Sequence, residues 1–276
     1  MPMILPPILR RLRHRFGLHR LCAVLPRLLL LGLLGASCAV ARAEPEMRLL
    51  HAPYRVDDMR SLQNGARLFV NYCLNCHSAQ YMRYGKLHAL GLSDAQIQTD
   101  LMFTARRLAD TMTVALTPEQ AAKWFGAEPP DLSVIERALG SERGSGADFL
   151  YTYLLSFYRD ASRPTGWNNL LVPGVAMPNP LWRLQGERAA RMRSVADAAD
   201  PAEHHEVFEG YQELRAGVLP AKRYDSQIAD LVAFMQWMAE PAQIERKRIG
   251  LVVMLFLAVF TFITWRLKNE YWKDVK

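Results

Sequence analysis

The feature that most constrains this chain is one short run of residues, Cys73-Leu74-Asn75-Cys76-His77. Two residues separate the thiols and a histidine follows at once, which is the spacing of a c-type haem attachment site. This spacing lets both thiols reach the vinyl groups on one edge of a porphyrin, and it delivers His77 as a ligand of the iron. The run therefore predicts one covalently bound haem c, with Cys73, Cys76 and His77 in its site.

Two other uses of the same cysteines remain as alternatives. A zinc site needs a second pair of Cys or His ligands at finger-like spacing, whereas His204 and His205 are adjacent and far downstream. A redox-active dithiol needs a βαβ context that this stretch does not show. We interpret the two histidines as solvated residues of an acidic helix. That helix would also contain Asp200, Glu203, Glu206 and Glu209.

Residues 1–43 have the pattern of a secretory signal peptide. They contain seven arginines and no acidic residue, then an apolar run at 28–40, and they close with Ala41-Arg42-Ala43. The apolar run is shorter than the roughly 20 residues that span hydrocarbon, although a retained N-terminal anchor is the alternative. Export would remove Cys22 and Cys38 with the signal, so Cys73 and Cys76 would be the only cysteines of the mature chain.

A second apolar segment near the C-terminus predicts one transmembrane helix. Residues 249–265 carry no charge and would be about 26 Å long as a helix, close to a hydrocarbon core of about 30 Å. Basic residues at both ends can reach the lipid interface, while a buried core helix is the alternative. Residues 246–276 would thus be an anchor in the bacterial inner membrane with a short cytoplasmic tail. Residues 44–245 would form a periplasmic domain.

The charge of the chain argues against a nucleic-acid partner. The whole chain has a formal net charge of +7, but residues 44–245 contain 20 basic and 25 acidic residues. Binding to phosphates needs a basic face, which this domain lacks. We expect an acidic surface, richest in residues 197–213, that would steer a basic protein partner, although a solvated helix face explains the same charges.

The domain shows helical signals and no convincing run of alternating strands. The apolar spacing predicts helices at 61–72, 148–158 and 228–239, the last ended by Pro241. Ser93 with Gln96 and Thr117 with Gln120 indicate capped helix starts, and Gly126 would end the second of these helices. Gly65 and Phe69 lie one turn apart, a spacing that suits a close crossing by the helix at 228–237, although ordinary amphipathic packing explains it equally well. The sequence therefore predicts a mainly α fold.

A six-coordinate haem needs a second axial ligand, and methionine raises the redox potential. Met177 stands out because the segment 172–180 is apolar and bracketed by prolines, so it cannot be helical and has a stiff backbone. Met235 and Met238 lie on a predicted helix, where a core position explains them better. Met177 is the candidate sixth ligand.

Five segments in order along the chain resemble the cytochrome c1 family, the haem subunits of quinol:cytochrome c oxidoreductases (bc1 complexes). Each segment is weak by itself, but their order is specific, and together they cover essentially the whole mature chain. They are 65–69 leading into 73–81, 129–133, 163–169, 176–178, and 237–241 followed by 246–248 and the apolar run.

The resemblance implies a class I cytochrome c-like haem domain with insertions, and it implies Met177 as the sixth ligand. It also implies that Pro130 packs near the haem. Family members place an arginine after the Pro-Pro-Asp-Leu-Ser segment, where it pairs with a haem propionate. The usual spacing falls on Leu139 in this chain, and the available arginine is Arg137. An ordinary helix-surface charge is the alternative for Arg137.

The same resemblance implies a one-electron carrier. With His77 and Met177 on the iron, no coordination position is open to a substrate, so transfer would be outer-sphere. The implied partners are cytochrome b, the Rieske iron-sulfur protein, membrane lipid and a soluble or membrane-bound cytochrome c acceptor, within a dimeric complex. A free-standing membrane-anchored cytochrome c is the alternative function, and a subunit whose haem only stabilises the fold is a third possibility.

Overall fold

The structure is a computed structural model that describes residues 47–196 and 204–275. The predicted signal peptide, residues 1–43, lies outside these ranges.

The first helix ends in an unusual turn that leads into the cysteine motif. Helix α1 (Met59–Leu68) begins where the Asp58 carboxylate accepts hydrogen bonds from the backbone N–H groups of Arg60 and Ser61. The chain then widens into a π-helical turn, Phe69–Cys73. Such turns inside helices are frequent at functional sites. The predicted helix at 61–72 is confirmed, and its last turn has this wider form.

The core is built where α1 crosses α7 (Ala221–Ala239). A Cβ atom added to Gly65 would lie 2.1 Å from the carbonyl oxygen of Asp230 and 2.6 Å from Cβ of Phe234, so only glycine permits this approach. The rings of Phe69 and Phe234 meet beside it at 5.5 Å. The predicted crossing is therefore confirmed, and Met235 and Met238 are buried in the core as expected.

The shorter helices are placed largely by their own end signals. Ser93 and Thr117 each form a capping box, with Gln96 and Gln120 respectively, and Gly126 adopts φ +79° at the end of its helix. All three predicted signals are confirmed.

The short elements of the domain are a 3-10 turn at Tyr84–Leu90 and the helices α2 (Asp94–Asp100), α3 (Pro118–Phe125), α4 (Ile135–Ala138), α5 (Gly146–Leu155) and α6 (Trp182–Gln185).

Six strands in the described ranges form three antiparallel pairs. Strand β1 (Ala79–Arg83) pairs with β2 (Thr111–Met112), and β3 (Phe157–Arg159) pairs with β4 (Trp167–Asn169). The third pair is the longest, β5 (Gly186–Ala196) with β6 (His204–Ala216). The helix predicted for 148–158 therefore stops at Leu155, and the chain continues into β3.

The prediction of an acidic helix around His204 and His205 is wrong, because both residues lie on β6. Two irregularities in the β5–β6 register break the two-residue alternation of side chains that marks a strand in a sequence. Ion pairs across the ribbon, such as Arg193 with Glu209 at 2.6 Å, place the acidic residues beside basic ones.

The C-terminal helix α8 (Gln243–Tyr271) has 29 residues, none of which is buried in the protein. It is about 43 Å long and extends beyond the apolar run 249–265 at both ends. Within the described ranges, it is the one helix long and apolar enough to cross a membrane.

Candidate haem site

Backbone hydrogen bonds fold the cysteine motif into a tight turn after α1. The N–H of Leu74 bonds to the carbonyl of Phe69 at 3.0 Å, and the N–H groups of Cys76 and His77 bond to the carbonyl of Cys73 at 3.1 and 2.9 Å. Burial, together with the neighbouring Cys76, raises the pKa of the Cys73 thiol to about 12. A redox-active dithiol depends on a thiol with a lowered pKa, and the pKa of Cys73 shifts in the opposite direction.

The imidazole of His77 is oriented by one carbonyl. Its Nδ1 lies 2.8 Å from the carbonyl oxygen of Pro130. When Nδ1 donates its proton there, Nε2 keeps a free lone pair for a metal, which is the usual arrangement of a ligating histidine. Burial lowers the pKa of His77, opposed by the Pro130 carbonyl and the charge of Asp131. Burial thus disfavours the charged form of this ring.

The segment 129–133 is fixed to the chain just after the motif, so that the Pro130 carbonyl stays in place. The Asp131 carboxylate accepts the backbone N–H of Gln80 at 2.8 Å, and the Ser133 hydroxyl accepts that of Tyr81 at 3.0 Å. The N–H of Leu132 bonds to the carbonyl of Ser78 at 2.8 Å. Pro130 was predicted near the haem, and the structure brings its carbonyl to the predicted proximal ligand.

The loop that contains Met177 is fixed at Gly174, where φ is +79°. Its N–H donates to Oδ1 of Asn168 at 2.8 Å, and its carbonyl accepts from Nη2 of Arg163 at 2.6 Å. Arg163 and Asn168 belong to the segment 163–169 that carries the resemblance. Both residues hold the loop by bonding to Gly174, which lies further along the chain, and no local sequence pattern reveals such contacts.

Two buried asparagines fix the loop on either side of Met177. The side chain of Asn169 donates to the carbonyl of Tyr153 at 2.8 Å and accepts the N–H groups of Leu171 and Val172 at 2.9 and 3.2 Å. Asn179 accepts the N–H of Leu181 at 2.9 Å and donates to the side chain of Gln185. Asn169 belongs to the segment 163–169 that carries the resemblance, but the sequence did not predict a role for it or for Asn179.

Met177 itself contacts helix α5. The hydroxyl of Tyr153 donates to the Met177 sulfur at 3.6 Å, and burial raises the pKa of Tyr153 to about 12. The side chains of Cys73 and Tyr153 pack against the same hydrophobic core. Two thiols, an imidazole and a thioether are the side-chain types that haem c uses for attachment and ligation.

Arg137 lies where the domain meets the C-terminal helix. Its Nη1 is 2.6 Å from Oε2 of Glu240, the residue that follows α7. Glu240 also accepts hydrogen bonds from Arg246, in the first turns of α8. The hydrogen bonds and charge of Arg246 lower the pKa of Glu240, with Arg137 contributing. The predicted propionate partner thus belongs to a three-residue charge cluster at this junction.

Comparison with known proteins identifies the family of the chain. The Cytochrome C1 family pattern matches residues 51–190 and 206–275. A cytochrome c1 of Allochromatium vinosum is 41% identical over 220 residues, which cover 79% of this chain and 86% of that protein. A Nitrosomonas europaea protein named ammonia monooxygenase gamma subunit is 39% identical over 249 residues, which cover 90% of this chain and 98% of that protein.

A more distant relative, a cytochrome c1 of Rhodospirillum rubrum, is 27% identical over 248 residues, covering 79% of this chain and 83% of that protein. The resemblance found in the sequence is confirmed, as is the mainly α fold with one long apolar C-terminal helix. By the family match and by two relatives above 30% identity, the chain belongs to the Cytochrome C1 family.

Proposed function

We propose that this chain is the haem-bearing electron-transfer subunit of a bc1 complex, taking electrons from a Rieske iron-sulfur protein and passing them to a cytochrome c. The observation that carries the proposal is the contact of His77 Nδ1 with the Pro130 carbonyl, directly beside Cys73 and Cys76. It prepares a neutral imidazole for iron in a chain of the Cytochrome C1 family.

Each residue of the site has a distinct role in this proposal. Haem c, when bound, supplies a one-electron ferric/ferrous couple. Cys73 and Cys76 would hold the ring through thioether bonds, His77 would bind the iron through Nε2, and Met177 would provide the sixth ligand. With His77 and Met177 both bound to the iron, the site would exclude substrate from it and would support outer-sphere electron transfer.

The placement in the membrane follows from α8 and the proposed export signal. We place the haem domain in the periplasm, α8 across the inner membrane, and the C-terminus in the cytoplasm. Cytochrome b would contact α8 within a dimeric complex. A cytochrome c acceptor would approach the periplasmic domain, whose 20 basic and 25 acidic residues favour a basic partner.

Gentle solubilisation of membranes followed by quinol addition tests this function. We expect the chain to copurify with cytochrome b and the Rieske protein, and its haem to become reduced when quinol is added. Removing the Rieske protein should leave the haem oxidised. A chain that elutes alone but still exchanges electrons would be a free-standing cytochrome c. A haem that never changes oxidation state under quinol would indicate a structural role.

Covalent attachment has its own test. The double change Cys73→Ala and Cys76→Ala should abolish haem staining on a denaturing gel, whereas each single change should remove one thioether bond only. Undiminished staining of the double variant would end the haem c assignment.

Arg137 can bind a haem propionate only through the guanidinium nitrogens that are not paired with Glu240. If it does, Arg137→Gln should change the redox potential, because a charge beside the haem would be lost, while Glu240→Gln should change it much less. Equal effects of the two substitutions, measured by redox titration, would show that Arg137 acts only in the charge cluster with Glu240.

A further inference from the structure

The predicted sixth ligand has a hydrogen-bond partner whose role neither the haem motif nor the proposed function explains. This partner is the hydroxyl of Tyr153, whose oxygen lies 3.6 Å from the sulfur of Met177. Sulfur is a large atom and a weak acceptor, so hydrogen bonds to it are longer than those to oxygen.

Three contacts hold Tyr153 in position before any ligand binds. Its ring stacks on Phe149 at 6.3 Å and meets the edge of Phe157 at 5.0 Å. Its carbonyl accepts the side-chain N–H of the fully buried Asn169 at 2.8 Å. Asn169 also accepts backbone N–H groups at the start of the Met177 loop. One buried amide therefore ties the tyrosine and the methionine loop together.

We infer that Tyr153 is a positioning residue, which orients the Met177 sulfur and raises the redox potential by donating a hydrogen bond to it. The inference rests on the proposed function, since it takes Met177 as the sixth ligand. A thioether sulfur has two lone pairs, so one can bind iron while the other accepts the tyrosine proton. The hydrogen bond draws electron density from sulfur, which makes it a weaker donor and favours ferrous over ferric iron.

Tyr153→Phe tests this directly, because it removes the hydroxyl and leaves the ring packing with Phe149 and Phe157 intact. In the full-length protein within its solubilised complex, we expect the ferric-to-ferrous ratio at a fixed ambient potential to rise three- to tenfold. At 59 mV per tenfold change, that is a fall of about 30 to 60 mV. The absorption band of iron–methionine ligation should persist, because Met177 remains in place.

Tyr151→Phe is the matched control, because Tyr151 lies on the same helix and is also partly buried. This variant loses an equivalent hydroxyl, and we expect the redox potential of its haem to be unchanged. A second measurement is the rate at which cyanide displaces methionine from the ferric protein. This rate should fall severalfold in Tyr153→Phe, because a sulfur without the hydrogen bond is a stronger ligand of ferric iron, and should stay unchanged in Tyr151→Phe.

The possible failures can be told apart. If the unmodified protein lacks the iron–methionine band, then Met177 is not the ligand and the proposed site itself is wrong. If the band is present but Tyr153→Phe changes neither the potential nor the rate of displacement, only the role of Tyr153 is overturned.

Discussion

At the scale of single residues, the sharpest consequence concerns Met177 as the residue that sets the redox potential. Met177→His should keep the haem attached through Cys73, Cys76 and His77, but nitrogen ligation stabilises ferric iron relative to thioether ligation. We expect the potential to fall by about 100 mV or more, which is about 2.3 kcal/mol for one electron. Redox titration and haem staining measure the two effects separately.

Met102→Leu is a suitable control for that experiment, because Met102 packs against the core and is not part of the Met177 loop. Its potential should match that of the unmodified protein. If Met177→His instead left the potential and the iron–methionine band unchanged, the sixth ligand would have to be sought at Met102 or Met112.

A second residue-scale prediction concerns Asn169, whose side chain makes three hydrogen bonds in a fully buried position. Asn169→Ala should leave the Tyr153 carbonyl and two loop N–H groups without partners, which would lower the free energy of unfolding by about 2 to 3 kcal/mol. We expect the melting temperature to fall by about 5 to 10 °C.

Circular dichroism of the detergent-solubilised protein would measure that fall. Asn75→Ala removes an exposed amide that bonds only to a carbonyl four residues earlier, so its melting temperature should be unchanged. Equal melting temperatures for Asn169→Ala and the unmodified protein would show that the loop is held by other contacts.

The sequence predicted some of these residues and missed others for a physical reason. Cys73, Cys76 and His77 are adjacent in the chain, so their chemistry is visible as a local pattern. Asn169 bonds to the carbonyl of Tyr153, 16 residues earlier in the chain. Tyr153 in turn bonds to Met177, 24 residues later. Only the folded chain brings such partners together.

At the scale of elements, the crossing of α1 and α7 depends on Gly65. In Gly65→Ala, the new Cβ would lie 2.1 Å from the Asp230 carbonyl oxygen, closer than any real contact, so one helix backbone must shift. We expect the free energy of unfolding to fall by about 3 kcal/mol, and the melting temperature by about 6 to 12 °C.

Gly250→Ala provides the matched control, because Gly250 is also helical but has no atom within 4 Å of the added Cβ. Helix propensity alone favours alanine over glycine by up to about 1 kcal/mol. The control should therefore melt at the same temperature or slightly higher. If Gly65→Ala melted at the same temperature as Gly250→Ala, the two helices could move apart with no loss of stability.

The elements that could be predicted from sequence are those specified by nearby residues. Capping boxes at Ser93 and Thr117 and the terminating Gly126 are local, and each appears where its residues indicated. The β5–β6 ribbon could not be predicted in this way. Its stability comes from pairing between residues such as Arg193 and Val207, and its register breaks hide the alternation of side chains.

At the scale of the whole molecule, few side-chain contacts join α8 to the rest of the described residues. The structure joins them through the Arg137, Glu240 and Arg246 cluster, and through Lys247, whose Nζ lies 5.6 Å from the centre of the Tyr54 ring. No residue of α8 is buried in the core. Surface charges of this kind contribute little to stability, so the domain should not depend on its anchor to fold.

A chain ending at Glu245 should therefore fold as a soluble protein with haem attached, because all four proposed haem ligands and attachment sites lie before that residue. It would lose only the contacts of Arg246 and Lys247 with the domain. We expect its haem stain in the soluble fraction of the periplasm and its melting temperature within a few degrees of that of the full-length protein. Ultracentrifugation after washing with high salt and mild alkali measures the first. If the shortened chain still sedimented with the washed membranes, a further part of the domain would have to bind lipid or a membrane partner, and α8 would not be its only anchor.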